Sequence, residues 1–250
     1  MALTTSPKCL LCGYHPWPDN PDDKPEDSGI ACDYCKVKAL TLEPKEIKAL
    51  LSIDQLKMEF EIRSKGQRVL SDDKCPVKQP AQIFSEWPFF IGDIDDACDL
   101  EKLEKLNVKG VINLCADKLK QKEYRHLAGA LANASIDFMV LNADDSYNFE
   151  IVPVAEKTFA FINSFLCQNY GVLVHCYAGV NRSGAVAAAY LVREQNVPLV
   201  KVIAQLRQTR GTVLTNQSFC LQLVKYCSQN GLQLEGDDVV TSSDTKDPEY

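Results

Sequence analysis

The stretch from Gly171 to Val192, GVLVHCYAGVNRSGAVAAAYLV, constrains this chain more than any other. Its first five residues, Gly171–His175, are apolar at both odd and even positions, apart from the closing histidine. A strand of that kind buries both faces, which requires a sheet covered by helices on two sides. Ala185–Val192, AVAAAYLV, predicts a buried helix. Between them lies a short loop with Ala178 and Gly179, whose small side chains let the backbone curl. A buried strand thus delivers His175 and Cys176 into a tight turn, and a helix begins near Arg182.

The surrounding chain repeats the strand–helix alternation. IFSEWPFFIGD predicts one or two short strands, and DLEKLEKLNVKG an amphipathic helix stopped by Gly110. VINLC predicts a buried strand, LKQKEYRHLAGALANA a helix, IDFMVLN a strand and EIVPVAEKTFAFINSFLCQ a helix. Helices over about 182–195, 198–208 and 216–228 follow. The expected fold is α/β, with a central, mostly parallel sheet flanked by helices on both faces over residues 81–230. Residues 41–80 predict a helix and a linker. In that helix Ile47, Leu50, Leu51, Leu56 and Phe60 recur at helical spacing, and Pro44 suits its first turn. Residues 231–250 are expected to be an acidic, disordered tail.

The loop after His175 has the makings of an anion site. Successive amides on a curled loop and the first turn of a helix both point N–H groups at a bound anion. Arg182 adds a planar fork that matches phosphate oxygens. The same positive field favours the thiolate of Cys176, which is then poised for in-line attack on phosphorus. Taken singly, a cysteine on such a strand reads as core filler and an arginine as surface, so the spacing has force only in this strand–loop–helix setting. The lysine-bearing phosphate loop of nucleotide triphosphatases is excluded, because no Gly-Lys-Ser/Thr occurs.

The string His175-Cys176-x-x-Gly179-x-x-Arg182-Ser183-Gly184 resembles the signature loop of the cysteine-dependent protein tyrosine phosphatase superfamily, most closely its compact dual-specificity branch. The resemblance covers about residues 81–230. It implies that Cys176 is the nucleophile and forms a cysteinyl-phosphate, while Arg182 binds phosphate and stabilises the transition state. It also implies that Ser183 bonds the sulfur and helps it leave, that His175 orients the loop, and that Tyr177, Ala178, Gly179, Val180 and Asn181 line the substrate with Arg182. The family's general acid is an aspartate some thirty residues upstream. VLNADDSYNF offers Asp144 and Asp145, and the alignment favours Asp145. The competing reading of the pair is a solvated loop or a helix cap. Asn216 matches a family asparagine that ties the signature loop in place, and also reads as a simple N-cap. The resemblance implies no metal or other cofactor for catalysis. The expected substrate is a phosphoprotein carrying phosphotyrosine or phosphoserine/threonine. Two alternatives stand beside it: an RNA 5′-triphosphatase, suggested by the run GVNRSG, and a catalytically weak phosphoprotein-binding module. None of the loop positions 177–181 is basic, which argues against phosphoinositides.

Residues 1–40 are a separate problem. They are rich in Pro and Asp and too poor in apolar residues to build a core without a staple. Cys9-Leu-Leu-Cys12 and Cys32-Asp-Tyr-Cys35 supply one, because two such knuckles match a closed, structural zinc site with four thiolates. His15 is an alternative ligand. The expectation is a small zinc-ribbon-like module; such a module can bind protein, nucleic acid or nothing, and a protein is its candidate partner. The other histidine, His126, reads as structural, and Cys115, Cys167, Cys220 and Cys227 as core.

The chain has 250 residues, a net charge of −7 and 11 cysteines. The odd cysteine count and the absence of a signal-like start point to a reducing compartment, cytoplasmic or nuclear, rather than a disulfide framework. No apolar run approaches the roughly 18 residues of a membrane span. Residues 231–250 carry −5 of the charge, and the remainder is close to neutral, which argues against nucleic acid as a partner.

Overall fold

The computed structural model describes residues 42–64, 79–116 and 121–236. Cys9, Cys12, Cys32 and Cys35 lie outside these residues.

Five strands form one mixed sheet: β1 (Ala81–Gln82), β2 (Phe89–Gly92), β3 (Val108–Asn113), β4 (Asp137–Val140) and β5 (Gly171–His175). Their spatial order is β1-β2-β5-β3-β4. Only β1 runs antiparallel to its neighbour. Gly92, His175 and Asn113 are in register, so the carboxyl ends of the three central strands finish level with one another. In a parallel sheet that edge is where a loop can present chemistry.

The period of two explains both faces. Phe90, Val111 and Leu173 point to one side, against Ala97 of α2 (Ile94–Cys98), Leu103 of α3 (Leu100–Lys105) and Leu127 and Leu131 of α4 (Gln121–Asn133). Phe89, Ile91, Ile112, Val172 and Val174 point to the other. There they meet α5 (Val152–Glu156), α6 (Phe159–Leu166), α7 (Arg182–Glu194), α8 (Leu199–Arg210) and α9 (Gln217–Gln229). Each such side chain, fully buried, stabilises the fold by roughly 1.5–3 kcal/mol. Helix α7 is buried from Arg182 through Val192, as its alanine-rich, all-round apolar sequence requires.

Several elements differ from the sequence-based expectation. The helix expected to stop at Gly110 ends at Lys105, and Asn107 turns the chain with a φ of 51°. Gly110 instead lies inside β3, where an added Cβ would sit 2.7 Å from Phe165 Cδ2. Its lack of a side chain serves sheet–helix packing. The expected long helix at 150–168 divides into α5 and α6, where the Thr158 hydroxyl donates to the Ala155 carbonyl (2.6 Å). Cys167, expected in the core, is exposed.

The helix expected ahead of the domain, α1 (Pro44–Ser64), is part of its wall. Arg207 Nη1 donates to the Ile53 carbonyl (2.7 Å) and Gln217 Nε2 to Asp54 Oδ1 (2.8 Å). The buried stripe is Glu46, Ala49 and Ile53, while Ile47 and Leu51 face outward. Tertiary contact chose a face rotated from the one that hydropathy alone selects. Residues 231–236, placed in the expected disordered tail, are tied to the domain. Leu199 and Val200 donate to the carbonyls of Gln233 and Leu234, Leu234 is buried, and Glu235 accepts from Ser52 Oγ (2.7 Å).

Candidate active site

Cys176 follows β5 directly, at the level edge of the central strands. Its amide donates to the Gly92 carbonyl of β2 (3.4 Å) and its side chain is 1% exposed. Cys176 Sγ lies 3.4 Å from Ser183 Oγ, in the first turn of α7. The loop between them is held from outside. Ile94 N donates to the Tyr177 carbonyl (3.4 Å) and Leu214 N to the Val180 carbonyl (3.2 Å). A trans peptide points its N–H opposite to its C=O. The amides of Ala178 and Asn181 therefore turn away from these neighbours, toward the enclosed side. Among the described residues, the amides of Tyr177 through Asn181 make no main-chain hydrogen bond. The Asn181 side chain also leaves the α7 N-terminus uncapped. The result is a concave array of unpaired donors at a helix start, which is a binding geometry for an anion.

Gly179 makes the curl possible. Its φ is 68°, and an added Cβ would strike Arg210 Nη2 and the Gly92 carbonyl. Arg210 is thus a floor beneath the loop. It is completely buried, with Nη1 on Asp96 Oδ2 (2.9 Å) and on the Gln79 carbonyl (2.7 Å), and Nη2 on Asp93 Oδ2 (3.1 Å). Asp93 and Asp96 cap each other's amides at the start of α2 in a reciprocal box (2.9 and 3.0 Å). Burial raises the Asp96 carboxyl above its ordinary value of 3.8, although Arg210 and the Asp93 amide pull it down. Sequence reasoning did not pick out this cluster. The Asp93-x-x-Asp96 spacing was a usable capping signal, but nothing local to Arg210 placed it there.

Arg182 is 5% exposed, and its Nη1 donates to the Ala143 carbonyl (3.2 Å), joining the signature loop to the segment that carries Asp144 and Asp145. Among the described residues its Nε has no partner. A buried guanidinium with an unused donor beside unpaired amides is arranged for an oxyanion. Asp145 accepts from Asn181 Nδ2 (3.1 Å) and from Asn216 Nδ2 (3.0 Å), one amide on each oxygen. Asn216 performs both tasks its position suggested. It caps α9 by accepting from Ser218 N (3.0 Å), and its own amide N–H donates to Asn181 Oδ1 (3.0 Å), joining it to the signature loop. Asp144 is exposed beside it. At the far end of the loop Gln222 clasps the backbone, donating to Phe149 O (2.8 Å) and accepting from Ile151 N (2.9 Å).

His175 is wholly buried, and neither ring nitrogen has a hydrogen-bond partner among the described residues. Burial lowers its pKa from 6.5 to about 4; the Cys176 main chain and Asp93 oppose this only in part. The imidazole is therefore neutral at physiological pH and lends no positive charge to the sulfur. Positive potential comes from Arg182, the loop amides and the α7 N-terminus. Tyr177 stands exposed at the rim. Among the described residues no cluster of three His, Cys, Asp or Glu could hold a metal ion, and no helix is long and apolar enough to cross a membrane.

Residues 89–229 match the sequence model of the family described as dual specificity phosphatase, catalytic domain. The chain belongs to that family. Among curated proteins it is similar to the dual specificity protein phosphatase Mpk3 of Drosophila melanogaster, at 31% identity over 141 residues, which are 56% of this chain and 32% of that one. It is similar to human dual specificity protein phosphatase 26 at 30% identity over 140 residues, 55% of this chain and 64% of that one. The matched stretch thus spans less than two thirds of these relatives. The crystal structure of human DUSP28 superposes with a TM-score of 0.54 at 20% identity, covering 63% of this chain and 99% of that one. That of the human tyrosine phosphatase-like serine/threonine/tyrosine-interacting protein does so with 0.51 at 23%, covering 62% and 99%. At these identities the structures show the shared fold of the dual specificity phosphatase domain.

Proposed function

We propose that this protein is a phosphatase that hydrolyses phosphomonoesters on proteins, phosphotyrosine and phosphoserine/threonine, through a cysteinyl-phosphate. The observation that carries the reading is the convergence on one loop of a buried sulfur, a buried guanidinium with an unpaired Nε, and a row of unpaired amides. In the first step Cys176 Sγ forms a bond to phosphorus as the ester oxygen departs with a proton from Asp145. Arg182 and the loop amides hold the three other oxygens while charge spreads over them. In the second step Asp145 takes a proton from water, the water oxygen bonds phosphorus, and the S–P bond breaks. Ser183, 3.4 Å from the sulfur, donates to the departing thiolate. His175 acts as a neutral, packed support behind the loop. Tyr177, Ala178, Gly179, Val180 and Asn181 form the rim and wall of the phosphate site with Arg182. The substrate class is supported by the curated relatives, which are protein phosphatases by name, and by the lack of any basic residue at 177–181.

The test is turnover of p-nitrophenyl phosphate and of phosphopeptides by wild type and Cys176→Ser. Cysteine-dependent phosphate release from phosphopeptides is expected. Phosphopeptide capture without turnover would replace the enzyme with a binding module, and release only from triphosphate-ended RNA would replace the substrate.

The reading extends to a structural zinc ion held by Cys9, Cys12, Cys32 and Cys35, in a module whose candidate partner is a protein. It is supported by the paired C-x2-C spacing alone, and no catalytic step involves it. A metal content far from one zinc per chain would overturn it. A reducing, cytoplasmic or nuclear setting suits the reading, since a catalytic thiolate must stay reduced.

A further inference from the structure

We infer that Asn181 is a positioning residue for proton transfer, holding the Asp145 carboxylate over the phosphate loop. The inference rests on the reading of Asp145 as the acid. It goes beyond placing Asn181 in the wall of the site, because its side chain is engaged on both ends away from substrate.

The orientation of the Asn181 amide is fixed by its partners. Its Oδ1 receives the main-chain N–H groups of Thr215 (2.8 Å) and Asn216 (3.0 Å) and lies 3.1 Å from Thr215 Oγ1. Main-chain N–H groups can only donate, so the oxygen must face them and the NH2 must face Asp145. The same logic fixes Asn216, whose Oδ1 accepts from Ser218 N and whose NH2 is then turned to Asp145. Asp145 therefore sits in a two-pronged amide clamp. Asn181 supplies one prong from the signature loop itself, directly beside Arg182. Two of the roughly four lone-pair sites of the carboxylate are used, which leaves others to carry the proton that moves to the ester oxygen.

The clamp lies between the anchors of the acid segment. Ala143 N donates to Leu114 O and the Ala143 carbonyl accepts from Arg182; Gln222 holds Phe149 and Ile151. Between these anchors Asp145 takes the two amides of the clamp, one on each carboxylate oxygen. An exposed carboxylate can take several rotamers, and proton delivery needs one. Asn181 couples that position to the loop that holds the phosphorus.

The experiment compares Asn181→Ala, Asp145→Ala and wild type on aryl phosphates of graded leaving-group basicity. General-acid help is worth about 10²–10⁴-fold, most for basic leaving groups. Asn181→Ala is expected to lose about tenfold or more in kcat on phenyl phosphate, but less than about threefold on an activated fluorogenic ester. Equal losses on both esters, or none, would overturn the inference, because a merely structural role does not depend on the leaving group. Asn181→Asp is the second variant. It is isosteric and keeps the oxygen that accepts from Thr215 and Asn216, but turns the contact with Asp145 into one between carboxylates. Two such groups share a proton, so the alkaline limb of the pH–kcat profile should move to higher pH. An unmoved limb in a folded, active variant would also overturn the inference. If wild type shows no Cys176-dependent turnover at all, the phosphatase reading fails and takes this inference with it. If wild type turns over and the Asn181 variants keep its leaving-group dependence, only the inference fails.

Discussion

Replacing Arg210 with methionine removes the floor of the signature loop and strands the charges it neutralises. Asp96 is 3% exposed and Arg210 is completely buried, so the pair is shielded from water. Removing one partner of a buried ion pair typically costs 3–5 kcal/mol, because the remaining charge loses its counter-ion without regaining solvent. Methionine fills the aliphatic volume and so limits any additional cavity cost. For a domain of this size each kilocalorie lowers the melting point by about 2–4 °C. The expected loss is thus on the order of 10 °C at neutral pH. The pH dependence identifies the cause. Asp96 already has a raised pKa in the folded protein, so the native state binds its proton more tightly than the unfolded chain does. Stability from this group is therefore highest in acid and falls as pH rises past the unfolded carboxylate value. Without Arg210 that fall should steepen, and the deficit of Arg210→Met should shrink on going from pH 7.5 to pH 5. Urea unfolding of both proteins at the two pH values measures it. A deficit under about 1 kcal/mol, or one of equal size at both pH values, would refute the reasoning.

Two further outcomes are expected. Gly110→Val should destabilise by roughly 1–3 kcal/mol in the same urea assay, since its Cβ would begin 2.7–2.8 Å from the Phe165 ring; a neutral change would mean that α6 shifts freely over β3. The buried His175, with a folded pKa of about 4 against 6.5 unfolded, should cost stability as pH drops below 6.5, by about 1.4 kcal/mol per unit until about pH 4. That slope should vanish in a folded His175→Asn variant, and an imidazole that titrates near 6.5 by NMR would refute it.

The site was legible in the sequence where its chemistry depends on neighbours along the chain. His175, Cys176, Gly179, Arg182 and Ser183 belong to one strand–loop–helix unit, so their spacing already carries their geometry. Asp145 was legible from the resemblance, which favours it over the adjacent Asp144, and its contacts with Asn181 and Asn216 tie it to the signature loop. Asp93, Asp96, Arg210 and Gln222 were not legible as site residues. The partners of Arg210 and Gln222 lie far away along the chain, 117 residues between Arg210 and Asp93 and 131 between Arg210 and Gln79. Hydropathy misjudged α1 for a related reason: Ile47 and Leu51 are apolar but exposed, because the surface offered by α8 and α9 selects Ala49 and Ile53 instead.

By itself the sequence determined the alternation of strands and helices, the two-faced burial of β5, and the curled loop that ends in an arginine. Each of these follows from side-chain period, backbone freedom or local charge, which act between near neighbours. The tertiary structure alone decided what holds Asp145 against the loop, what supports Gly179 from below, and where α1 lies. Those outcomes depend on hydrogen bonds and excluded volume between segments that meet only once the sheet has brought its carboxyl edge together.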